Sequence, residues 1–382
     1  MREVVVVEAV RTPVGKKNGM LSTVRPDDMA ADLLKELVAR TGVSKGSIQD
    51  IILGCVSQVE EQGVNIARTA ALMAGFPVHV PGTTIDRQCG SGQQAIHFAS
   101  QAILSGDMDM VIAGGVESMT RVPLGTSRQH AVWSEALTSK YEMIHQGLSA
   151  ERIAERWNFT RQRLDEYAYE SHQRSIRARE ENRFDREILP LEVHLEDGTT
   201  RLVKHDEGPR DDTTIGKLAA IPPAFKRDGV IHAGNASQMS DGAAALLLMS
   251  REKAEELDLK PRFRILARSV VGSDPTWMLT GPVEATEQVL EKANFSIKDM
   301  DTYEVNEAFS PVPLYWLQEM RADPQKLNPN GGAIALGHPL GATGARLMTS
   351  MMYELERSGG RYGLQAICEG GGMANATIIE RI

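Results

Sequence analysis

Asp86–Ile96 reads DRQCGSGQQAI. An apolar segment ends there, Cys89 follows, and the small residues Gly90, Ser91 and Gly92 lead into a helical pattern, QQAIHFASQAIL. Glycine carries no side chain, so another molecule can come close to the backbone at this turn. The helix points its unpaired N–H groups and the positive end of its dipole back at the sulfur. Both effects favour thiolate over thiol, and the thiolate is the form that attacks. The competing reading is a buried structural cysteine, because free cysteine is among the most buried residue types. The rest of the chain separates the two readings.

Strands and helices alternate on either side of this turn. Residues 2–10 are a β-branched run that predicts a buried strand. DDMAADLLKELVART has acidic residues at its start and apolar positions at helical spacing. IQDIILGCVSQ predicts a second strand; Cys55 lies within it with no helix opening behind it, and is assigned to the core. NIARTAALMAG (helix), VPGTTID (strand) and MDMVIAGG (strand) complete a layered α/β unit with a largely parallel sheet.

After Met119 the strand signal fades. SAERIAERWN and TRQRLDEYAYESHQRSIRARE predict helices, the second with Thr160 as its N-cap. GTTRLVKHDEGPRDDTTIGKLAAIPPAF is polar, punctuated by Pro and Gly, and reads as irregular. From about Pro261 the alternation returns, through FRILARSVVG, GPVEATEQVLEKAN, MDTYEVNEAF and LYWLQEM to NPNGGAIALGHPLGATGARLMTSMMYELERSG and two final strands about a glycine turn. The domain reading is therefore 1–119 with the candidate nucleophile, 120–250 as an excursion of helices and binding loops that rejoins the N-terminal half near its end, and 251–382. The outer parts echo each other: CGSGQQA and GHPLGATGA each open a long helix, and MVIAGG and AICEGGG each run a strand into glycines. Two similar halves would set Cys89 and His338 at equivalent helix starts.

Composition narrows the function. The 382 residues carry a net charge of -9, which argues against a nucleic-acid partner. Three cysteines without CxxC spacing indicate neither a disulfide framework nor a zinc site, and a reducing cytoplasm fits. The N-terminus reads as a strand, not a signal peptide, and apolar runs such as AAALLLM fall well short of the ~20 residues of a membrane span. Cys89, Asn306 in NEAF, His338 in GHP and Cys368 in CEGGG all lie at strand ends or helix starts, where α/β sheets build their sites. A cysteine and a histidine far apart in sequence are a candidate nucleophile and base.

Together these motifs resemble the thiolase family over essentially the whole chain. GGVESMTRVP at 114–123, GNASQMSDGAAA at 234–245, NEAF at 306–309, NGGAIALGHPLGATGAR at 330–346 and CEGGGMANA at 368–376 carry the resemblance. It implies a five-layered αβαβα fold of two similar halves, with a loop domain that binds coenzyme A inserted between them, and a homodimer or homotetramer. It implies thiolytic cleavage of a 3-ketoacyl-CoA, or the reverse Claisen condensation, through an acyl-Cys89 intermediate. His338 is the implied base for Cys89, and Cys368 the implied acid and base at the acetyl-CoA α-carbon. Asn306 is implied to hold a water that, with His338, binds the thioester oxygen. The N–H groups of Cys89 and Gly370 form the implied second oxyanion hole. For coenzyme A the resemblance implies Arg210 at the adenine-phosphate end, Ser237 at the pantetheine amide, His145 near the thioester and Phe309 along the pantetheine tunnel. Glu307 reads as a supporting residue. Coenzyme A is a substrate, and neither a metal nor a further cofactor is implied.

Two positions depart from the pattern: Gln146, where many short-chain members have Met, and Glu369, where a small residue is common. VEEQGVNIAR, CGSGQQA and NGGAIALGHP are most similar to degradative members of fatty-acid β-oxidation or steroid side-chain breakdown. A small-pocket acetyl-CoA acetyltransferase is the alternative. Ketoacyl synthases, which share the fold and the cysteine, use a histidine motif where this chain has Asn306-Glu307. A non-catalytic subunit of a multienzyme complex conflicts with the intact set Cys89, His338 and Cys368, although a β-oxidation complex partner is compatible with catalysis.

Overall fold

The structure, a computed structural model, describes residues 2–129, 131–195 and 197–382. The N-terminal half runs β1 (Val4–Arg11), β2 (Gly15–Lys16), α1 (Pro26–Thr41), β3 (Asp50–Gly54), α2 (Ile66–Met73), β4 (Thr83–Ile85), α3 (Ser91–Ser105) and β5 (Met110–Ser118). An excursion follows: α4 (Glu135–Thr138), α5 (Gln146–Arg156), α6 (Arg161–Glu180), β6 (Leu191–His194), β7 (Thr200–Val203) and α7 (Ile215–Ala219). The chain re-enters as β8 (Ser240–Ser250) and α8 (Arg251–Glu256). The C-terminal half is β9 (Phe263–Gly272), α9 (Gly281–Ala293), β10 (Thr302–Val305), α10 (Pro311–Met320), α11 (Ala333–Leu336), α12 (Leu340–Ser358), β11 (Tyr362–Glu369) and β12 (Met373–Arg381).

Nine of the strands form one path, β10-β11-β12-β9-β1-β8-β5-β3-β4; β2 pairs with β8 off that path, and β6 and β7 form a separate sheet. β1 and β9 touch only through the pairs Val5↔Arg264 and Val6↔Phe263, so the path is two sheets meeting at a seam. Each sheet repeats the other. β5 pairs antiparallel with β8 and parallel with β3; β11 pairs antiparallel with β12 and parallel with β10. Where the first sheet has β4 beside β3, the second has a parallel bridge from Tyr303 to Leu327.

Helices cover both faces of both sheets, which is why the strands read as near-continuous apolar runs. In β1, Val5 and Val7 pack with Leu33, Leu34 and Leu37 of α1, while Val4 and Val6 face the opposite way. That second face meets Ile96, Ala99 and Ile103 of α3 and Met348, Met351 and Leu355 of α12. On the far side, Val283 and Val289 of α9 and Val312 and Trp316 of α10 pack on Leu364, Ala366 and Ile378. The layers are therefore α1/α2, sheet, α3/α12, sheet, α9/α10, the five-layered αβαβα order. Cys55 is fully buried in the outer N-terminal core.

Within the excursion, Thr160 caps α6 by accepting from the Arg163 N–H. Thr200–Val203, in the stretch read as irregular, is a strand: it pairs with Leu191–His194, whose alternating burial supplies the partner. The polar side chains of β7 conceal it in the sequence. Arg11, at the end of β1, ties the excursion down through Glu187 at 2.6 Å and Asp206 at 2.7 and 2.9 Å, all buried.

The central layer is held at backbone contact. A Cβ on Gly341 would lie 2.6 Å from the Gly54 carbonyl oxygen and 2.7 Å from that of Val116. One on Gly92 would lie 2.7 Å from the Gly341 oxygen. Gly341→Ala should therefore destabilise the protein. Helix propensity returns at most about 1 kcal/mol, whereas overpacking a tight core costs about 1–3 kcal/mol. A denaturant midpoint that does not fall would contradict the close packing.

Candidate active site

β4 ends at Ile85, and the turn before α3 is built to lift Cys89. Asp86 Oδ1 accepts the Gln88 N–H at 2.7 Å. Ser91 Oγ accepts from the Arg87 N–H at 2.8 Å and donates to the Gln88 carbonyl at 2.6 Å. Gln88 sits at φ 49, a left-handed conformation that costs energy for a side chain of its size. Cys89 then packs among Met119, Leu340, Leu347 and Ile367, with 5% of its surface exposed.

His338 precedes α12 by two residues, as Cys89 precedes α3 by two. Its Nδ1 lies 2.7 Å from Thr343 Oγ1, and the Thr343 hydroxyl donates to the Pro339 carbonyl at 2.8 Å. The threonine oxygen can therefore only accept from the ring. The network assigns the proton to Nδ1 and leaves the Nε2 lone pair free. Burial, helped by Arg346, holds the imidazole down to about 3, so it is neutral across the physiological range. Asn306 Nδ2 approaches Nε2 at 3.4 Å, and Asn306 Oδ1 is buried without a partner in the protein.

Cys368 ends β11 and is buried. Burial first, then neighbouring Cys89, then Glu369 hold its thiol well above the usual value. Cys89 is pushed up to about 12, by burial and then by Glu369. The N–H groups of Cys89 itself and of Gly370 face the sulfur and pull the other way. This corrects the expectation from the helix start. Desolvation and a carboxyl outweigh the dipole, and the resting group is a thiol.

One buried carboxyl joins the start of α12 to the loop after β3. Glu117, at the end of β5, accepts from the N–H groups of Val56 at 2.9 Å, Ser57 at 3.0 Å and Gly341 at 2.9 Å, and from Gln62 Nε2 at 2.9 Å. Glu307 is likewise saturated, by Tyr167, Ser171, Asn328 and the Ile334 N–H. It fastens the segment before α11 to α6 and has no oxygen left for chemistry.

On the excursion side, three of the four sequence-selected binding residues converge. His145 caps α5 through the Gly147 N–H and stacks on Phe225 at 5.2 Å; Phe225 meets Phe309 edge-on at 5.8 Å. The Ser237 N–H donates to the Ala308 carbonyl at 3.0 Å, beside Phe309. Arg210 stands apart with an exposed side chain, and its backbone N–H donates to His172 Nδ1 at 3.3 Å. Gln238 links that strap to the others, donating to the carbonyls of Gly208, Ile334 and Ala335. A cavity of about 970 Å³ opens beside Gly370, with Val56, Leu124, Trp133, Met143, His145 and Gln146 in its walls. Thr343, Glu117, Phe225 and Gln238 were not singled out in the sequence. Three of them lie inside or beside the quoted motifs, but their roles depend on contacts between distant segments.

Two duplicated halves thus meet where the starts of α3 and α12 touch, bringing together a thiol, a neutral imidazole unprotonated at Nε2, a second thiol and converging backbone donors, which is the equipment of an acyl-transfer enzyme. Residues 4–252 match the family described as "Thiolase, N-terminal domain" and residues 259–381 "Thiolase, C-terminal domain". The chain belongs to the thiolase family, whose members are acyltransferases. It is 47% identical to the "Steroid 3-ketoacyl-CoA thiolase FadA6" of Mycobacterium tuberculosis, over 100% of this chain and 95% of that protein. It is 43% identical to a "3-ketoacyl-CoA thiolase" of Aliivibrio fischeri, over 100% of both. The crystal structure of the Bacillus anthracis acetyl-CoA acetyltransferase superposes with a TM-score of 0.93 at 41% identity, over 100% of this chain and 99% of that one. No helix among the described residues is long and apolar enough to cross a membrane.

Thr343→Val removes the acceptor that fixes the His338 tautomer while keeping the side chain's shape. We expect turnover to fall about 10- to 100-fold with an unchanged melting temperature. Full activity in this variant would show that the imidazole is oriented by something else.

Proposed function

We propose that this enzyme cleaves a 3-ketoacyl-CoA with coenzyme A, in the degradative direction, and that its acyl group is bulky. The observation that carries the reading is the convergence on Cys89 of the Gly370 and Cys89 N–H groups and of Cys368, with His338, neutral and unprotonated at Nε2, just before the helix α12 whose first turn packs against Cys89 through Leu340.

In the first half-reaction His338 Nε2 takes the Cys89 proton as the sulfur bonds to the 3-keto carbon. A thiol held near 12 needs such a base at the moment of attack. The C2–C3 bond breaks, its electron pair leaves with C2 as the acetyl-CoA enolate, and the Cys368 S–H protonates that carbon. The acyl group remains on Cys89 as a thioester. In the second half, the Cys368 thiolate takes the proton of an incoming coenzyme A thiol. The resulting sulfur attacks the acyl-Cys89 carbonyl, and Cys89 leaves, recovering its proton from His338. Each half develops charge on a carbonyl oxygen, and fixed donors stabilise it. The Cys89 and Gly370 N–H groups serve the acyl-Cys89 side. Asn306 and His338 serve the acetyl-CoA side, where the buried Asn306 Oδ1 can hold a donor. Coenzyme A is consumed as a substrate and leaves in the new acyl-CoA thioester, and the steps as written call for no resident cofactor.

His145, Phe309 and Ser237 flank the thioester and pantetheine, and Arg210 meets the phosphate end. We further assign the enzyme to a cytoplasmic β-oxidation route as a homodimer or homotetramer. The cavity of about 970 Å³, with Gln146 in its wall, supports a bulky acyl group, as does the name of the Mycobacterium tuberculosis relative. The Bacillus anthracis structure favours the second reading, acetoacetyl-CoA cleavage or synthesis in a small pocket.

Thiolysis of acetoacetyl-CoA, of medium and long 3-ketoacyl-CoAs and of a steroid side-chain 3-keto-CoA separates the two readings. We expect the bulkier members to be preferred. Preference for acetoacetyl-CoA would establish the acetyltransferase instead, and cleavage of none would overturn catalysis. Cys89→Ser should reduce turnover to background yet retain coenzyme A binding; retained acyl transfer would sink the nucleophile assignment. Cys368→Ala should slow exchange of the acetyl-CoA α-proton by about 10²–10⁴ while Cys89 is still acylated by acyl-CoA. Equal loss of both activities would disprove the acid/base role.

A further inference from the structure

Glu369 follows Cys368 on β11 but faces the opposite side of the sheet, toward the central layer. Its carboxyl is lodged against the first turn of α3: a Cβ on Gly90 would overlap Glu369 Oε1. Both carboxyl oxygens are buried, and neither has a hydrogen-bond partner in the protein. The fold has thus placed an ionisable group, at a desolvation cost, beside the turn that carries Cys89.

Four charged or titratable groups lie nearest it. Cys89, Arg87 and Asp86 come from the turn before α3, and Cys368 lies on its own strand. Arg87 is the one cation among them. Its Nη1 reaches Met373 Sδ at 3.9 Å, and it forms no ion pair with Glu369. The carboxyl is the largest influence on Cys89 after burial, and it also acts on Cys368. Glu117 adds a smaller push on Cys89 from β5.

We propose that Glu369 is a positioning residue for the thiolase reaction, which acts through the charge state of Cys89 and Cys368 and keeps both as thiols whenever its own carboxyl is ionised. Burial is the first influence that holds Cys89 as a thiol against the pull of the helix start, and the carboxylate adds to it. A carboxylate at the same helix end takes up that positive potential and repels a second negative charge. Burial pushes the Glu369 carboxyl up to about 8, so it changes charge within the working range of an enzyme. Below that range it is neutral and leaves the sulfur to His338. Above it the carboxylate opposes thiolate formation, just where free thiols become reactive. The resting cysteines are thereby guarded against alkylation and oxidation at alkaline pH.

The inference rests on Cys89 as the nucleophile, but its test does not use thiolysis, so the two can fail separately. The rate of Cys89 alkylation by iodoacetamide, read by peptide mass spectrometry from about pH 6 to about pH 10, is compared in wild type and Glu369→Gln. Glutamine keeps the shape and removes the titration. The two rates should agree below about pH 7, and the variant should be about tenfold or more faster above about pH 9. Parallel profiles over the whole range, or a variant slower throughout, would overturn the proposal. If the variant does not fold, the wild-type profile decides. A rate that bends below unit slope above about pH 8 supports the carboxyl's action, and an unbroken unit slope refutes it.

Discussion

The structure depends on backbone meeting backbone between the two central helices. α3 and α12 start from equivalent points of the two halves, and only residues without side chains allow the starts to touch. Gly92 lies against the Gly341 carbonyl, and Gly341 in turn lies against Gly54 and Val116. A single added methyl would separate them. That separation would part Cys89 from His338, since each stands two residues before its helix. Glu117 reinforces the contact by accepting from the first turn of α12 and from the loop after β3 with the same carboxyl. The duplicated sheets, joined elsewhere by two residue pairs, are aligned chiefly by this layer.

Burial then sets the chemistry that the geometry permits. A helix start pulls a cysteine toward thiolate, but a site sealed between two sheets desolvates it, and desolvation is the larger effect here. The same burial holds His338 neutral. In the proposed mechanism the pair is an uncharged thiol and an uncharged base, and charge would separate only as the sulfur attacks. Fixed donors are worth most in such a water-poor site, because no solvent reorganisation is needed as charge develops.

Much of this was legible in the sequence because it is local. The strands and long helices follow from apolar patterning, and the internal echo of CGSG and GHPLG foretold the duplication. Ser240–Ser250 shows where local reading ends. It closed the excursion in sequence, but it is a fully buried strand between β1 and β5. The Thr200–Val203 strand was hidden because its pairing partner, not its composition, makes it one. The site's supports were hidden for the same reason. Thr343 matters because Pro339 claims its proton, and Glu117 because two halves bring their N–H groups to it. The direction in which the Cys89 thiol is displaced could not be read from the motif, because the burial that sets it, and Glu369 after it, reach the sulfur only through the fold.

The excursion shows how an inserted segment is fixed to such a rigid core. Arg11 holds it with a buried double pairing at the end of β1, Glu307 holds α6 to the segment before α11, and Gln238 bridges three carbonyls. Buried charges cost more to desolvate than apolar contacts, so these ties are poor sources of net stability. Their geometry is what they contribute. Arg11 and Glu307 belong to opposite halves, and each meets the excursion at a fixed angle set by directional hydrogen bonds. The stack His145–Phe225–Phe309 therefore starts on the excursion and ends on the C-terminal half, one turn beyond Asn306. In the proposed reading, a thioester held along that stack would be aimed at the junction of the halves, which would couple recognition of the carrier to placement of the reacting carbon.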